Sequence, residues 1–328
     1  MELDVVGVGN AIVDVLASAS EEFLVEHGLA KGSMTLIDEA RARELYASMG
    51  PAREASGGSA ANTMAGVASL GGKPAYIGRV CNDQLGEIFS HDMRASGIQF
   101  AVPPAAGGPS TARCLILITP DAQRTMNTYL GACVDLGPED VDDELVRRGQ
   151  VLYLEGYLWD KPKAKEAFVK AARVASAAGR RVALTLSDSF CVARHRDSFL
   201  ELVARHVDIL FANEAEIKAL YATESFEQAV DHARRDTKIA ALTRGARGSV
   251  LVAGTEHVEI AAAPVARVVD TTGAGDLYAA GVLFGLTHGE SLASAGRRGS
   301  LAAAEVISHY GARPECNLRD LVNGALQA

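Results

Sequence analysis

The sequence predicts an α/β fold: a largely parallel sheet flanked by helices, with a small β layer beside it. Short β-branched runs alternate along the chain with alanine-rich helical stretches, the pattern of strands joined by crossover helices. Several runs are near-continuous and apolar, as strands buried on both faces are. One stretch breaks the alternation, since no long helix separates its two arms, and it places the extra layer. The expected strands are Val5–Val8, Ala75–Val80, Val151–Glu155, Val182–Leu186, Val207–Phe211, Ile239–Thr243 and Ser249–Val252. Lys163–Ala178 reads as a helix closed by Gly179, and Glu214–Tyr221 as a second. TARCLILI–TPDAQ–RTMNTYL (111–130) reads as a hairpin, SMTLID (33–38) as a short isolated strand, and VPPAAGGP (102–109) as the approach to the hairpin. With no repeat and no linker, residues 1–328 form one domain, with a lid from about 14–50 and 98–130 inserted in its core.

Composition narrows the function. Of 328 residues, 48% are apolar and 22% charged, which fits a globular chain. Lys and Arg total 32 against 41 Asp and Glu, a net charge of -9 without a basic stripe, which argues against a nucleic-acid partner. The five cysteines form no C-x-x-C pair and no Cys/His ligand spacing, which suggests a reducing compartment. The longest apolar run, Leu277 to Leu286, is half of the roughly 20 residues a membrane span needs. Together with an acidic start that does not resemble a signal peptide, this predicts a cytoplasmic protein without a membrane partner. An exposed β lid could pair edge to edge, so monomer and homodimer both stay open.

The 32 glycines stand partly in clusters, and three clusters carry chemistry. In Val268-Val-Asp-Thr-Thr-Gly-Ala-Gly-Asp276 a strand end runs into Gly273-Ala274-Gly275, and a helix opens with Asp276 in its first turn. Such a start offers unpaired N–H groups to an anion, and Asp276 could take a proton beside it. A capped helix with an acidic first turn would read the same way. The helix dipole is expected to lower the Asp276 pKa. In Ala55-Ser-Gly-Gly-Ser-Ala-Ala-Asn-Thr63, Gly57 and Gly58 can expose N–H groups and Asn62 offers a donor and an acceptor, which suits a polyhydroxy ligand. Tight packing of a small-residue helix on the sheet is the alternative. In Ala241-Leu-Thr-Arg-Gly-Ala-Arg-Gly-Ser249, Thr243 ends a strand where open α/β sheets bind ligands, and Gly245 and Gly248 follow it. A glycine hairpin turn explains that cluster equally well.

Asn213 and Glu216 share one helical face after a strand, so they could order water around Mg²⁺, or simply cap the helix. Asp14, in Gly9-Asn-Ala-Ile-Val-Asp14, could accept two sugar hydroxyls or merely start a loop. Arg124 lies near the expected lid tip, where it could close over phosphates or stay solvated. There is no P-loop, and Gly7-Val-Gly9 lacks the third glycine of the dinucleotide fingerprint.

In this order the clusters resemble the ribokinase/PfkB superfamily of sugar and nucleoside kinases, from about Val5 to Pro314. Residues 268–276 look like its carboxy-terminal signature, GGSAANTMAGVASLGGKPAYIGRVCNDQLG (57–86) like its amino-terminal one, and NEAE (213–216) like its N-x-x-E motif. The resemblance implies a Rossmann-like (ribokinase-like) domain with a β lid, and ATP and Mg²⁺ as cofactors. It implies Asp276 as the base, with Gly273, Ala274 and Gly275 as the anion hole. Asn213 and Glu216 would arrange Mg²⁺, and Thr243, Gly245 and Gly248 would lie against ATP. Asn10, Asp14, Gly57, Gly58 and Asn62 would hold the acceptor. Asp270 and the Thr272 carbonyl would form a K⁺ site.

Within the superfamily the chain is most similar to adenosine kinases. The carriers are GNAIVD at the start, the hairpin with Arg124 (whose counterpart there contacts phosphates), TLSDSF (185–190) and HVDILFANEAE (206–216). Met34 departs from them, standing where the animal enzymes carry a polar residue near the base. The implied reaction transfers the γ-phosphoryl group of ATP to the 5′-hydroxyl of a nucleoside such as adenosine. A kinase for inosine, guanosine, ribose or fructose is the alternative, and a catalytically silent nucleotide sensor is the rival of another class.

Overall fold

The computed structural model describes residues 2–121 and 123–327. In chain order the strands are β1 (Leu3–Val8), β2 (Ile12–Ser18), β3 (Met34–Leu36), β4 (Ala52–Gly57), β5 (Pro74–Ile77), β6 (Ala112–Ile118), β7 (Arg124–Tyr129), β8 (Gly149–Glu155), β9 (Arg181–Thr185), β10 (Ile209–Asn213), β11 (Ile239–Thr243), β12 (Ser249–Ala253) and β13 (Glu256–Ile260). Eight build the main sheet in the order β13-β12-β11-β10-β9-β8-β1-β5. From β5 to β11 the neighbours run parallel, and β12 and β13 add an antiparallel edge. The central strands are buried along almost their whole length, because helices cover both faces. One face packs the helix Pro162–Ala177, whose Ala164, Ala167, Phe168, Ala171 and Ala175 form a buried stripe. That helix ends at Ala177, with Gly179 beyond it at φ +69°. The other face packs Ser59–Ser69, Ala274–Thr287 and the second sheet. No helix among the described residues is long and apolar enough to cross a membrane.

The second sheet has five strands in the order β3-β7-β6-β2-β4. The hairpin is β6–β7, and the short strand β3 lies parallel to β7. Two members lie where no strand was expected. Asp14 does not start a loop; it sits within β2, opposite Ala55 of β4 and Cys114 of β6. β4 reaches Gly57, past the expected end of the lid's first segment. Smaller departures have local causes. The expected strand Val207–Phe211 is Ile209–Asn213, because Val207 caps the preceding helix and the Asp208 carboxylate accepts from Val182 N. The strand expected at Ala75–Val80 stops at Ile77.

Candidate active site

A cavity of about 640 Å³ opens at the carboxyl ends of the main-sheet strands, under the second sheet. Its floor is set by close helix packing. Any Cβ on Gly281 would come within 2.6 Å of the Gly299 backbone, and one on Gly66 within 2.6 Å of Ala280. Only small residues let the helices Ser59–Ser69, Ala274–Thr287 and Leu292–Val306 approach so closely. The approach brings the start of the first helix against the start of the second. Ser59 Oγ donates to Asp276 Oδ1 at 2.6 Å, and Asn62 Nδ2 to Asp276 Oδ2 at 3.1 Å. Gly273 holds φ +79° at the N-cap, against Ala312, which turns the chain into the helix that carries Asp276.

The Asp276 pKa moves opposite to the expected direction. Burial raises it to about 6, and the hydrogen bonds from Ser59 and Asn62 only partly offset this. The dipole expectation failed because desolvation of the carboxylate outweighs it. A group poised near neutrality is a competent proton acceptor.

Asp14 reaches the cavity from the second sheet. Burial raises its carboxyl to about 6, although Arg124 and Arg313 pull it down. Gly57 makes room for it, since a Cβ there would lie 2.5 Å from Asp14 Oδ2. Gly58, at φ +98°, packs against the Asn10 carbonyl, where a side chain would collide at 2.2 Å. Asn10 is buried, donates through Nδ2 to Glu155 Oε1 at 2.6 Å, and leaves its Oδ1 without a partner among the described residues.

Asn213 and Glu216 form a capping box on the helix Glu214–Tyr221: Glu216 N donates to Asn213 Oδ1, and Asn213 N and Nδ2 donate to the two Glu216 oxygens. Capping is therefore real. Glu216 is nevertheless buried, which lifts its carboxyl to about 7, and both side chains line the cavity. Thr243, beside Asn213 in register, lines it as well.

One cavity thus gathers Asn10, Asp14, Gly58, Asn62, Asn213, Glu216, Thr243, Thr272, Gly273, Ala274, Gly275 and Asp276. Gly57, Arg124 and Asp270 stand behind its wall, while Gly245 and Gly248 form the β11–β12 turn outside it. The Arg124 guanidinium joins the Asp270 carboxylate and donates to Thr272 Oγ1 at 3.0 Å.

Sequence reasoning missed several members. Glu155 is 1% exposed, and burial raises its carboxyl to about 7; its Oε2 accepts from Ala60 N at 2.8 Å. An acid ending the apolar run VLYLE was a usable signal, since a buried carboxylate needs a reason to be there. Ser59 was inside the second glycine cluster. Arg313 gives no local signal; its Nε reaches Asn62 Oδ1 at 3.4 Å only in the folded chain. Ser187 lines the cavity at φ +67°, a backbone strain that no sequence pattern shows.

The model of pfkB family carbohydrate kinases matches residues 35–318, which include both glycine signatures. The chain belongs to this family. Among solved structures, adenosine kinase from Sinorhizobium meliloti is 56% identical over 99% of this chain and 100% of that one, with a TM-score of 0.91. A probable sugar kinase from Rhizobium etli CFN 42 is 51% identical over the whole of both chains, with a TM-score of 0.92. Adenosine kinase from Saccharomyces cerevisiae is 26% identical over 95% of this chain and 96% of that protein.

Proposed function

We propose that this pfkB kinase transfers the γ-phosphoryl group of ATP to the 5′-hydroxyl of adenosine, giving ADP and AMP. The observation that carries this reading is a single cavity joining Asp276 to an apolar wall of the second sheet. Met34, Leu36, Ile116 and Met126 line that wall, and Phe190 stands on the main domain. Met34, Leu36 and Phe190 are largely exposed without a ligand. A flat purine would cover such surfaces, whereas a free sugar would not. The Sinorhizobium meliloti relative supports the same acceptor.

In this reading Asp14 and Asn10 hold the ribose hydroxyls and Asp276 faces the 5′-hydroxyl. As that oxygen bonds to phosphorus, the bond to the ADP oxygen breaks and the proton passes to an Asp276 oxygen. The N–H groups at Gly273–Asp276 stabilise the charge on the transferred group, and positioning supplies most of the remaining acceleration. Asn213 and Glu216 fit Mg²⁺ held through water: each Glu216 oxygen accepts a hydrogen bond from Asn213 and retains a lone pair. The metal would supply charge neutralisation on the phosphates.

The Rhizobium etli relative favours a sugar acceptor as the second reading. Following ADP release with adenosine, inosine, guanosine, ribose and fructose separates the two. Adenosine is expected to give the highest kcat/KM. Preference for ribose or fructose would replace adenosine with a sugar, and no turnover on any acceptor would favour a silent sensor.

A further inference from the structure

We infer that Arg124 is a built-in cation that takes the place of K⁺ at Asp270, and that Asp270 is a positioning residue for Arg124. The inference rests on the reading that this cavity transfers a phosphoryl group. Asp270 is buried, and its carboxylate is saturated. Oδ1 accepts from Thr272 N at 3.0 Å and from Thr272 Oγ1 at 2.7 Å. Oδ2 accepts from Gly311 N at 3.1 Å and from the Arg124 guanidinium. Two oxygens thus meet four donors, one of them cationic, so this donor set does not fit a K⁺ ion.

The pair spans two layers. Arg124 opens β7 of the second sheet, and Asp270 lies three residues before the Gly273 N-cap. Both side chains are more than nine-tenths buried, at 9% and 6% exposure, so the contact is shielded from solvent. The Arg124 Nε is buried with no hydrogen-bond partner among the described residues. The guanidinium is held instead by Asp270 and Thr272, close in the chain to the Gly273 N-cap. They hold it behind the cavity wall, where its charge adds to that of the helix start.

The test compares turnover of adenosine and ATP in KCl and in choline chloride at equal ionic strength. The proteins are wild type, Arg124→Ala, Arg124→Lys, Asp270→Asn and the Arg124→Ala/Asp270→Asn double variant. Wild-type turnover is expected to be equal in the two salts within about twofold, and each alanine or asparagine variant to lose about tenfold or more in kcat. The adenosine KM is expected to hold, Arg124→Lys to recover part of the loss, and in choline chloride the double variant to fall no further than the single ones. Guanidinium or K⁺ is expected to raise turnover of Arg124→Ala but not of the double variant. Wild-type activation by K⁺ of about tenfold, full turnover in Asp270→Asn, or additive losses in the double variant in choline chloride would overturn the inference. If no acceptor is phosphorylated in either salt, the parent reading fails, and thermal unfolding in the two salts decides this one. A wild-type midpoint indifferent to K⁺, with K⁺ stabilising Arg124→Ala, supports the built-in cation. A midpoint of the wild type raised by K⁺ alone overturns it.

Discussion

At Asp276 two forces oppose each other: the helix start favours the carboxylate, and burial disfavours it. Burial wins, leaving the group at about 6, and Asp14 across the cavity stands at about 6 for the same reason. Both must be ionised for the proposed reaction, one to take a proton and the other to accept hydroxyl hydrogen bonds. The kcat/KM for adenosine should therefore rise with pH through about 6 and level off above about 7, with a limb steeper than one proton. A pH–rate profile checks this; a flat profile from pH 5 to 8 would remove both carboxylates from the free-enzyme titration. Asp14→Ala should raise the adenosine KM and leave the ATP KM near wild type, because Asp14 lies on the second sheet. The residues legible in the sequence were those inside dense local clusters. Glu155 and Arg313 reach the site through chain separations no local pattern carries: Ala60 meets Glu155, and Asn62 meets Arg313.

At the level of elements, the site depends on how close three helices can come. Gly281→Val should lower stability by about 1–3 kcal/mol, the range for overpacking, because the new side chain meets the Gly299 backbone. Chemical denaturation measures it, and an unchanged midpoint would show that the helices separate freely. Seven of the eight main-sheet strands were legible, since apolar runs are direct marks of burial; the edge strand β13, EHVEI, was not, because it is mostly exposed and carries no such run. β2 was not, because Asp14 interrupts its apolar run and only Gly9–Ala11 separate it from β1. β4 was not either: AREASG is poor in β-branched residues, and pairing with β2 makes it a strand.

At the level of the whole molecule, the site makes folding depend on pH. Asp14, Glu155, Glu216 and Asp276 all hold their protons more tightly folded than unfolded. Between about pH 4 and 7 the folded chain therefore binds more protons than the unfolded one, and stability falls as pH rises, with the full cost reached above about 7. Asp121, held at about 2 by Lys31 and Thr119, works the other way but only as pH falls below about 4. Urea unfolding of the ligand-free protein should give a higher midpoint at pH 5.5 than at pH 8, and the reverse order would contradict the burial of these four carboxyls. In the proposed reaction, the same desolvation that costs stability makes Asp276 a stronger base. The measurement that tests that claim most directly is Asp276→Asn, assayed for AMP formation and, separately, for adenosine binding by calorimetry. The account predicts that turnover falls at least about 100-fold while adenosine still binds with near wild-type affinity. Near wild-type AMP formation by a pure Asp276→Asn sample would contradict it.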